Sequence, residues 1–335
     1  MSALFDELLH ELETGDPIDE GGWSFIPLTT KRPSSVDYLT LFEAVESGLA
    51  LVSEIHQQGS VPDLKVVNDG AVSLLIPDGM TLVGCKQNRV VNISLLVPPR
   101  SVTVIPVSCV ERGRWHTESA TLSPSEFCDP LLRSKMCKQS TQSFQETGRA
   151  RANQSSVWEH VHDILGATCA SSPTVAYHAA YGAIPETADE HELFCPPNAN
   201  GIAVLRAGRI CSLDLFDKPE TLHKLWPRIR RGTRLSAQPQ FGSPGPLESP
   251  RQFLADCFAK PQGEFMPVGL GTHHRFGTDG PVASALVADG QIVHLSAFHK
   301  DGATPTKPAQ MPPTQPLRQS WWRRIWGQCS RRTGW

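Results

Sequence analysis

The sequence predicts an α+β protein whose core is a predominantly antiparallel β-sheet with several short peripheral helices. Three observations lead there. Short apolar runs follow one another between residues 23 and 107 at spacings too close for the helical crossovers that parallel strands need. Tight-turn signals, Asn68-Asp69-Gly70, Ala207-Gly208 and Asp289-Gly290, separate pairs of such runs. Segments with apolar residues at helical spacing are few and short. The 335 residues divide into an N-terminal amphipathic helix within 1–20, a single β-rich domain over 21–302, and a tail over 303–335 that is predicted to be disordered.

Leu4, Phe5, Leu8, Leu9 and Leu12 share one helical face, and Gly15-Asp16-Pro17 stops that helix. Residues 23–28 read as the first strand. Ser34 and Ser35 are placed to cap a helix over 37–47, which Gly48 ends. Strands follow over 49–55, 65–67 and 72–76, the last two expected to form a hairpin about Asn68-Asp69-Gly70. Runs 90–97 and 102–107 flank Pro98-Pro99-Arg100-Ser101, a turn, and are expected to pair. A helix over 124–136, interrupted at Pro130, is followed by a polar loop over 139–154 and a helix over 157–165 ended by Gly166. Residues 167–200 read as mixed, with His178, His191 and Cys195 dispersed in loops. A hairpin spans 201–216, and Asp217 is expected to cap a helix with Pro219 at its first position, bent or ended at Pro227. Residues 232–249 read as a surface loop, Ser249-Pro250 opens a helix through 258, and strands 264–269, 282–287 and 292–298 close the domain.

No run reaches the roughly 18 apolar residues of a membrane span, and the acidic amphipathic start is no secretory signal. Nine scattered cysteines without a CxxC pair argue against a disulfide framework or zinc finger and for a reducing, cytoplasmic setting. The net charge of -3 divides unevenly: residues 304–335 carry +6 and the rest -9, a poor balance for general nucleic-acid binding. No GxGxxG, GxxxxGK[ST], HxH or HExxH occurs, so neither a cofactor nor a metal is predicted.

The polar chemistry concentrates between Asp78 and Trp115. If the runs 90–97 and 102–107 pair, GCKQNR (84–89) and CVERGRW (109–115) meet at one end of a sheet. Lys86 and Arg89, three apart, project to opposite faces if that segment is extended; in a tight turn, aided by backbone amides after Gly84, they converge on an anion, with Gln87 and Asn88 beside them. The competing reading makes Lys86 and Arg89 structural partners of Glu54 and Glu111. Glu54 and Glu111 are alternatively a carboxylate pair for acid–base work. Trp115 either stacks on a base or packs in the core, the commoner fate of a tryptophan. Arg112, Arg114 or Lys86 could activate Cys109, but a cysteine directly after an apolar strand usually behaves as a small hydrophobe; Cys85 is no better placed. His273, His274 and Arg275, after a glycine-rich turn, form a second candidate loop. Trp321, Trp322, Arg323, Arg324 and Trp326 in the tail suit a protein partner or an anionic membrane surface.

The segments 78–89 (DG-x-x-L-V-G-x-KQNR), 92–98 (N-x-S-x-L-V-P) and 105–115 (IPVSCVE-x-GRW) resemble the ARG- and rhodanese-phosphatase-superfamily-associated protein domain, a bacterial family. Weaker echoes are Glu54, Asn68, residues 154–158, Asp214 to Phe216, and Leu270 to Phe276. The resemblance implies gene neighbourhoods with ADP-ribosylglycohydrolase-like and phosphatase-like enzymes of conflict systems, and carries over no catalytic residue. Two functions follow. One is a non-enzymatic binding or accessory module for a phosphate-bearing small molecule of nucleotide or ADP-ribose type, using the 84–89 and 111–115 loops. The other is an enzyme on such a substrate, with Glu54 or Glu111 as acid–base group and Lys86 and Arg89 clamping phosphate.

Overall fold

The chain opens as its apolar spacing predicts. In a computed structural model, which describes residues 3–31, 34–184, 195–236, 245–266 and 268–299, helix α1 (Ala3–Glu11) buries Phe5 and Leu8. Strands β1 (Glu13–Thr14) and β2 (Ile18–Glu20) both pair with β3 (Trp23–Thr29). The predicted helix over 37–47 is shorter: Tyr38–Thr40 forms β4, and α2 spans Leu41–Glu46. Thr40 and Glu43 form a reciprocal capping box, which outcompetes Ser34 and Ser35 as the start signal.

Strands β5 (Ala50–Ser53), β6 (Asp63–Asn68), β7 (Ser73–Ile76), β8 (Met80–Gly84), β9 (Arg89–Val91), β10 (Leu95–Val97), β11 (Ser101–Cys109) and β12 (Leu122–Phe127) follow. Six of them close a barrel in the order β11-β6-β5-β12-β8-β9, and β10-β7-β4 form a small sheet. Closure removes exposed edges and gives Val52, Leu64, Val66, Leu82, Val91, Ile105 and Val107 a common interior. Two expectations are corrected here. The turn at Asn68-Asp69-Gly70 exists, but β6 and β7 do not pair, because the Asn68 amide donates to the carbonyls of Val72 and Pro98 and sends the strands into different sheets. Run 90–97 pairs with β11 only over Arg89–Val91 and leaves the barrel at Asn92 to join β7 through β10.

Helix α3 (Pro130–Thr147) is longer than predicted, and Pro130 begins it rather than interrupting it, as suits proline's fixed φ at a first turn. The segment 139–147, predicted as loop, is helical because Cys137, Ser140, Thr141 and Phe144 share a buried face. The buried Asp129 caps α3 by accepting from the backbone N–H of Leu131 and Leu132, and also receives His160 Nε2 and Tyr177 OH, each at 2.7 Å. Burial pushes its pKa up, but His160 and these hydrogen bonds outweigh that and hold it at about 2. A depressed carboxylate stabilises the fold above its unfolded value of ~3.9 and loses that contribution as pH falls through the folded value. Stability should therefore drop by roughly 2 kcal/mol between about pH 4 and 2 on this account, and urea unfolding of Asp129→Asn should lack that component.

Helices α4 (Gln154–Thr168) and α5 (Ala179–Ala183) complete the cluster around α3. Strands β13 (Gly201–Arg206) and β14 (Arg209–Phe216) form the predicted hairpin. Helix α6 (Pro219–Leu235) runs through Pro227, so that proline does not end it; residues 232–235, predicted as surface loop, are helical, and 237–244 of that stretch lie outside the described residues. Asp217 does not cap α6; its carboxylate accepts from Ser34 and Tyr38. Helix α7 (Pro250–Phe258) is capped by Ser249 as predicted. Strands β15 (Pro261–Phe265), β16 (Thr272–Phe276), β17 (Val282–Ala288) and β18 (Gln291–Phe298) finish a nine-stranded sheet in the order β1-β3-β13-β14-β18-β17-β16-β15, with β2 beside β3. Its pairings among the described residues are all antiparallel, and the one parallel pairing among the described strands is β4 with β7. One face packs on α1 and α7 through Phe5, Leu8, Phe253 and Phe258; the other meets α3. No helix among the described residues is long and apolar enough to cross a membrane.

Candidate functional site

The register Arg89↔Cys109 brings GCKQNR and CVERGRW together at one end of the barrel. The connection from β8 to β9 is a tight turn with Gly84 at φ 129° and Cys85 at φ 46°. Glycine is required at 84, since a Cβ would lie 2.5 Å from the Thr121 carbonyl oxygen. The turn's amides are spent within the protein. Gly84 N–H donates to Asn88 Oδ1 (3.1 Å), Cys85 N–H to Ser119 Oγ (3.0 Å), Lys86 N–H to Glu54 Oε1 (3.4 Å) and Asn88 N–H to Glu111 Oε2 (3.1 Å).

Glu111 and Arg114 lock the two segments. Arg114 is buried and donates to Glu111 Oε2 (2.6 Å), Asn88 Oδ1 (3.0 Å) and the carbonyls of Cys85 (2.6 Å) and Gly84 (3.4 Å). Thr174 Oγ1 donates to the other oxygen of Glu111 at 2.6 Å. Burial pushes the Glu111 carboxyl up, but hydrogen bonds from Arg114, Thr174 and the Asn88 amide hold it below its ordinary value. Three of the roughly four lone-pair sites of this carboxylate are thereby occupied. Of the two acid–base candidates, this one is the more fully hydrogen-bonded.

Arg89 is also buried. Its Nη2 donates to the Ser60 carbonyl (3.3 Å) and lies 3.9 Å from Glu54 Oε1, while burial lowers its pKa. Gln87 and Asn88 are buried beside it. Lys86, Glu54 and Trp115 differ from this scaffold. Trp115 is 46% exposed, against the core packing that is commoner for the residue. Lys86 is half-buried, with Nζ 5.6 Å from the Trp115 ring centroid, and Arg89 Cζ lies 5.9 Å from it. The loop before β6 closes on them at Gly59, where a Cβ would lie 2.8 Å from Lys86 Cδ, 3.2 Å from Glu54 Oε2 and 3.3 Å from Trp115 Cζ2. The Glu54 side chain is 11% exposed, and its contacts to Ser60 N–H and Lys86 N–H are long at 3.4 Å.

The thiols are inert scaffold. Burial raises the pKa of both Cys85 and Cys109, and the Cys109 backbone is clamped by the Gln154 side chain, which accepts from its N–H (2.9 Å) and donates to its carbonyl (2.8 Å). Cys169 is exposed. Native protein treated with iodoacetamide at pH 8 should therefore label Cys169 well before Cys85 or Cys109, as read by peptide mass mapping.

His273, His274 and Arg275 form strand β16 rather than a loop, and alternation splits them. His274 faces α1, its ring 5.2 Å from Phe5 and its Nδ1 3.4 Å from Glu264 Oε1, while His273 and Arg275 are buried against α3. They do not join the barrel-end residues. The tail residues Trp321, Trp322, Arg323, Arg324 and Trp326, like His191, lie outside the described residues.

Sequence reasoning missed the most charged feature of the interior. Arg133 of α3 donates to both oxygens of Asp214 (2.9 and 2.6 Å) and through Nε and Nη2 to Asp78 Oδ2 (3.3 and 3.2 Å). Ser94 Oγ donates to Asp78 Oδ1 (2.9 Å) and lies 2.7 Å from His294 Nδ1; His294 Nε2 reaches Asp214 Oδ1 at 3.2 Å. Five residues thus close a buried ring. Ser94, His294 and Asp214 follow one another as in a hydrolase relay, yet all three are buried and the serine's proton goes to Asp78. The ring ties the barrel segment 78–94 to α3 and the large sheet. A signal for it was present: Asp78 and Asp214 are acids abutting apolar runs, which demand buried partners.

No curated protein and no solved structure matches the chain. The family model described as the ARG and Rhodanese-Phosphatase-superfamily-associated Protein domain matches residues 11–298, which span the barrel, the buried ring and the nine-stranded sheet, and the chain belongs to that family.

Proposed function

We propose that the chain is a non-catalytic binding module whose barrel-end face recognises a phosphate-bearing small molecule of nucleotide or ADP-ribose type. The observation that carries this reading is Trp115, half exposed beside the Lys86 ammonium above a locked scaffold. An exposed indole offers a stacking plane for a base, and an adjacent cation offers a charge for phosphate. Arg89, Asn88, Glu111 and Arg114 hold that face in place and make no contact with the ligand. The family is described as associated with ARG and rhodanese-phosphatase proteins, which agrees with such a ligand class. The loose contacts of Glu54 favour a second reading, an enzyme with Glu54 as acid–base group.

A thermal-shift panel of ADP-ribose, nucleotides, sugar phosphates and inorganic phosphate tests the proposal. Ligand at about 100 times its Kd should add roughly 2.7 kcal/mol to wild type. Folded Lys86→Ala and Trp115→Ala should lose the shift. A shift retained in both variants would place recognition elsewhere. Turnover of a bound ligand that Glu54→Gln abolishes would establish the enzyme instead.

A further inference from the structure

We infer that Arg275 and Ser140 form an internal binding site for a small inorganic anion of halide or nitrate size, enclosed between helix α3 and strand β16. Arg275 is fully buried, and its charge has no carboxylate in contact among the described residues. Its one hydrogen bond goes from Nη1 to the Cys137 sulfur at 3.8 Å, and Nε and Nη2 have no partner among the described residues. Cys137 does not neutralise it, since burial pushes that thiol up to about 11.

The surroundings supply donors and walls. Ser140 lies one turn along α3 from Cys137, and its buried hydroxyl also has no partner among the described residues. Phe144, the next residue on that face, places its ring 5.3 Å from Arg275 Cζ and 6.0 Å from the His273 ring. Neither nitrogen of His273 makes a hydrogen bond of normal geometry, and burial keeps the imidazole neutral. On the other side, Gly263 of the edge strand stands in register with Arg275 and contributes no side chain. Glu264 of that strand turns its carboxylate to His274, on the opposite face of β16.

Asp78 is a carboxylate that acts on Arg275 electrostatically, but its oxygens already receive Arg133 and Ser94. A guanidinium taken out of water without a hydrogen-bonded counter-charge is strongly unfavourable. The unpartnered Nε and Nη2 of Arg275, and the Ser140 hydroxyl set between Cys137 and Phe144, the two α3 residues that contact Arg275, supply donors that an anion would satisfy. A water molecule would satisfy the hydrogen bonds and leave the charge.

Thermal unfolding of the full chain at pH 7 and constant ionic strength, with sodium gluconate exchanged stepwise for chloride, bromide or nitrate, tests the site. The midpoint should rise saturably with each small anion. Ser140→Ala, a mild change, should weaken the apparent anion Kd about 5-fold or more, and Arg275→Met should abolish the dependence. If Arg275→Met does not fold, crystals grown in bromide decide the matter: an anomalous peak within hydrogen-bonding distance of Arg275 Nη2 supports the site. A midpoint that follows ionic strength alone in wild type, or no peak there in fully exchanged bromide, would overturn it.

Discussion

Arg133→Met is expected to cost about 3–5 kcal/mol of stability, the largest single effect in the molecule. The substitution keeps most of the side-chain volume against Phe298 and Phe127, whose rings lie 4.8 and 5.7 Å from the guanidinium carbon, so the loss is electrostatic rather than a cavity. It leaves Asp78 and Asp214 buried without their shared cation. In the wild type, burial pushes Asp214 up, but Arg133 and His294 outweigh it and hold it well below the usual carboxylate range. That contribution is present above the unfolded value of ~3.9 and lost as pH falls through the folded value. In the variant the sign reverses. A buried carboxylate without a counter-charge has a raised pKa, so the deficit should be greatest near pH 7 and shrink on acidification as the group takes up a proton. Denaturant unfolding at pH 7 and pH 4.5 reads both parts. Adding Asp78→Asn and Asp214→Asn should recover much of the loss, because an apolar or neutral replacement of a whole buried ion cluster is tolerated where removal of one member is not.

Arg114→Met is the second large effect, about 3 kcal/mol. Its guanidinium is the only described side chain that bonds the Gly84 and Cys85 carbonyls, Asn88 and Glu111 together, so its loss leaves the buried Glu111 carboxylate without its cation and unties the turn from it. The strained turn at Cys85 then loses its anchor, and limited proteolysis should cut within residues 84–89 and 111–118 faster than in wild type. Lys86→Ala, three residues from the buried Arg89, should change stability by no more than about 0.5 kcal/mol. The contrast between Lys86 and Arg114 separates the proposed recognition face from what supports it.

Much of this architecture was readable from local signals. The hairpins about Ala207-Gly208 and Asp289-Gly290 form as predicted, because both strands of each remain in one sheet. The turn at Asn68-Asp69-Gly70 shows the limit of such signals: the local chain reverses, but barrel closure decides which strand pairs with which. Residues 139–147 look like loop by composition and are helical, since α3 buries Ser140 and Thr141 along with Cys137 and Phe144. A helix that buries polar residues gives no apolar periodicity to read. The same holds for β16, where His273 and Arg275 suggest an exposed loop and occupy the interior. At the barrel end, the meeting of GCKQNR and CVERGRW was legible from strand pairing. Which residues point outward was not, because that depends on the turn at Cys85 and on where the side chain of Arg114 goes.

The central claim is that Trp115 serves recognition while the residues behind it serve the fold. The most direct measurement is the pair of quantities for Trp115→Ala: unfolding free energy by denaturant, and ADP-ribose affinity by calorimetry. The account predicts stability within about 0.5 kcal/mol of wild type and an affinity at least about tenfold weaker, equivalent to roughly 1.4 kcal/mol. A loss of several kcal/mol in folding with ADP-ribose affinity unchanged in the protein that does fold would contradict it, and would make Trp115 one more part of the scaffold.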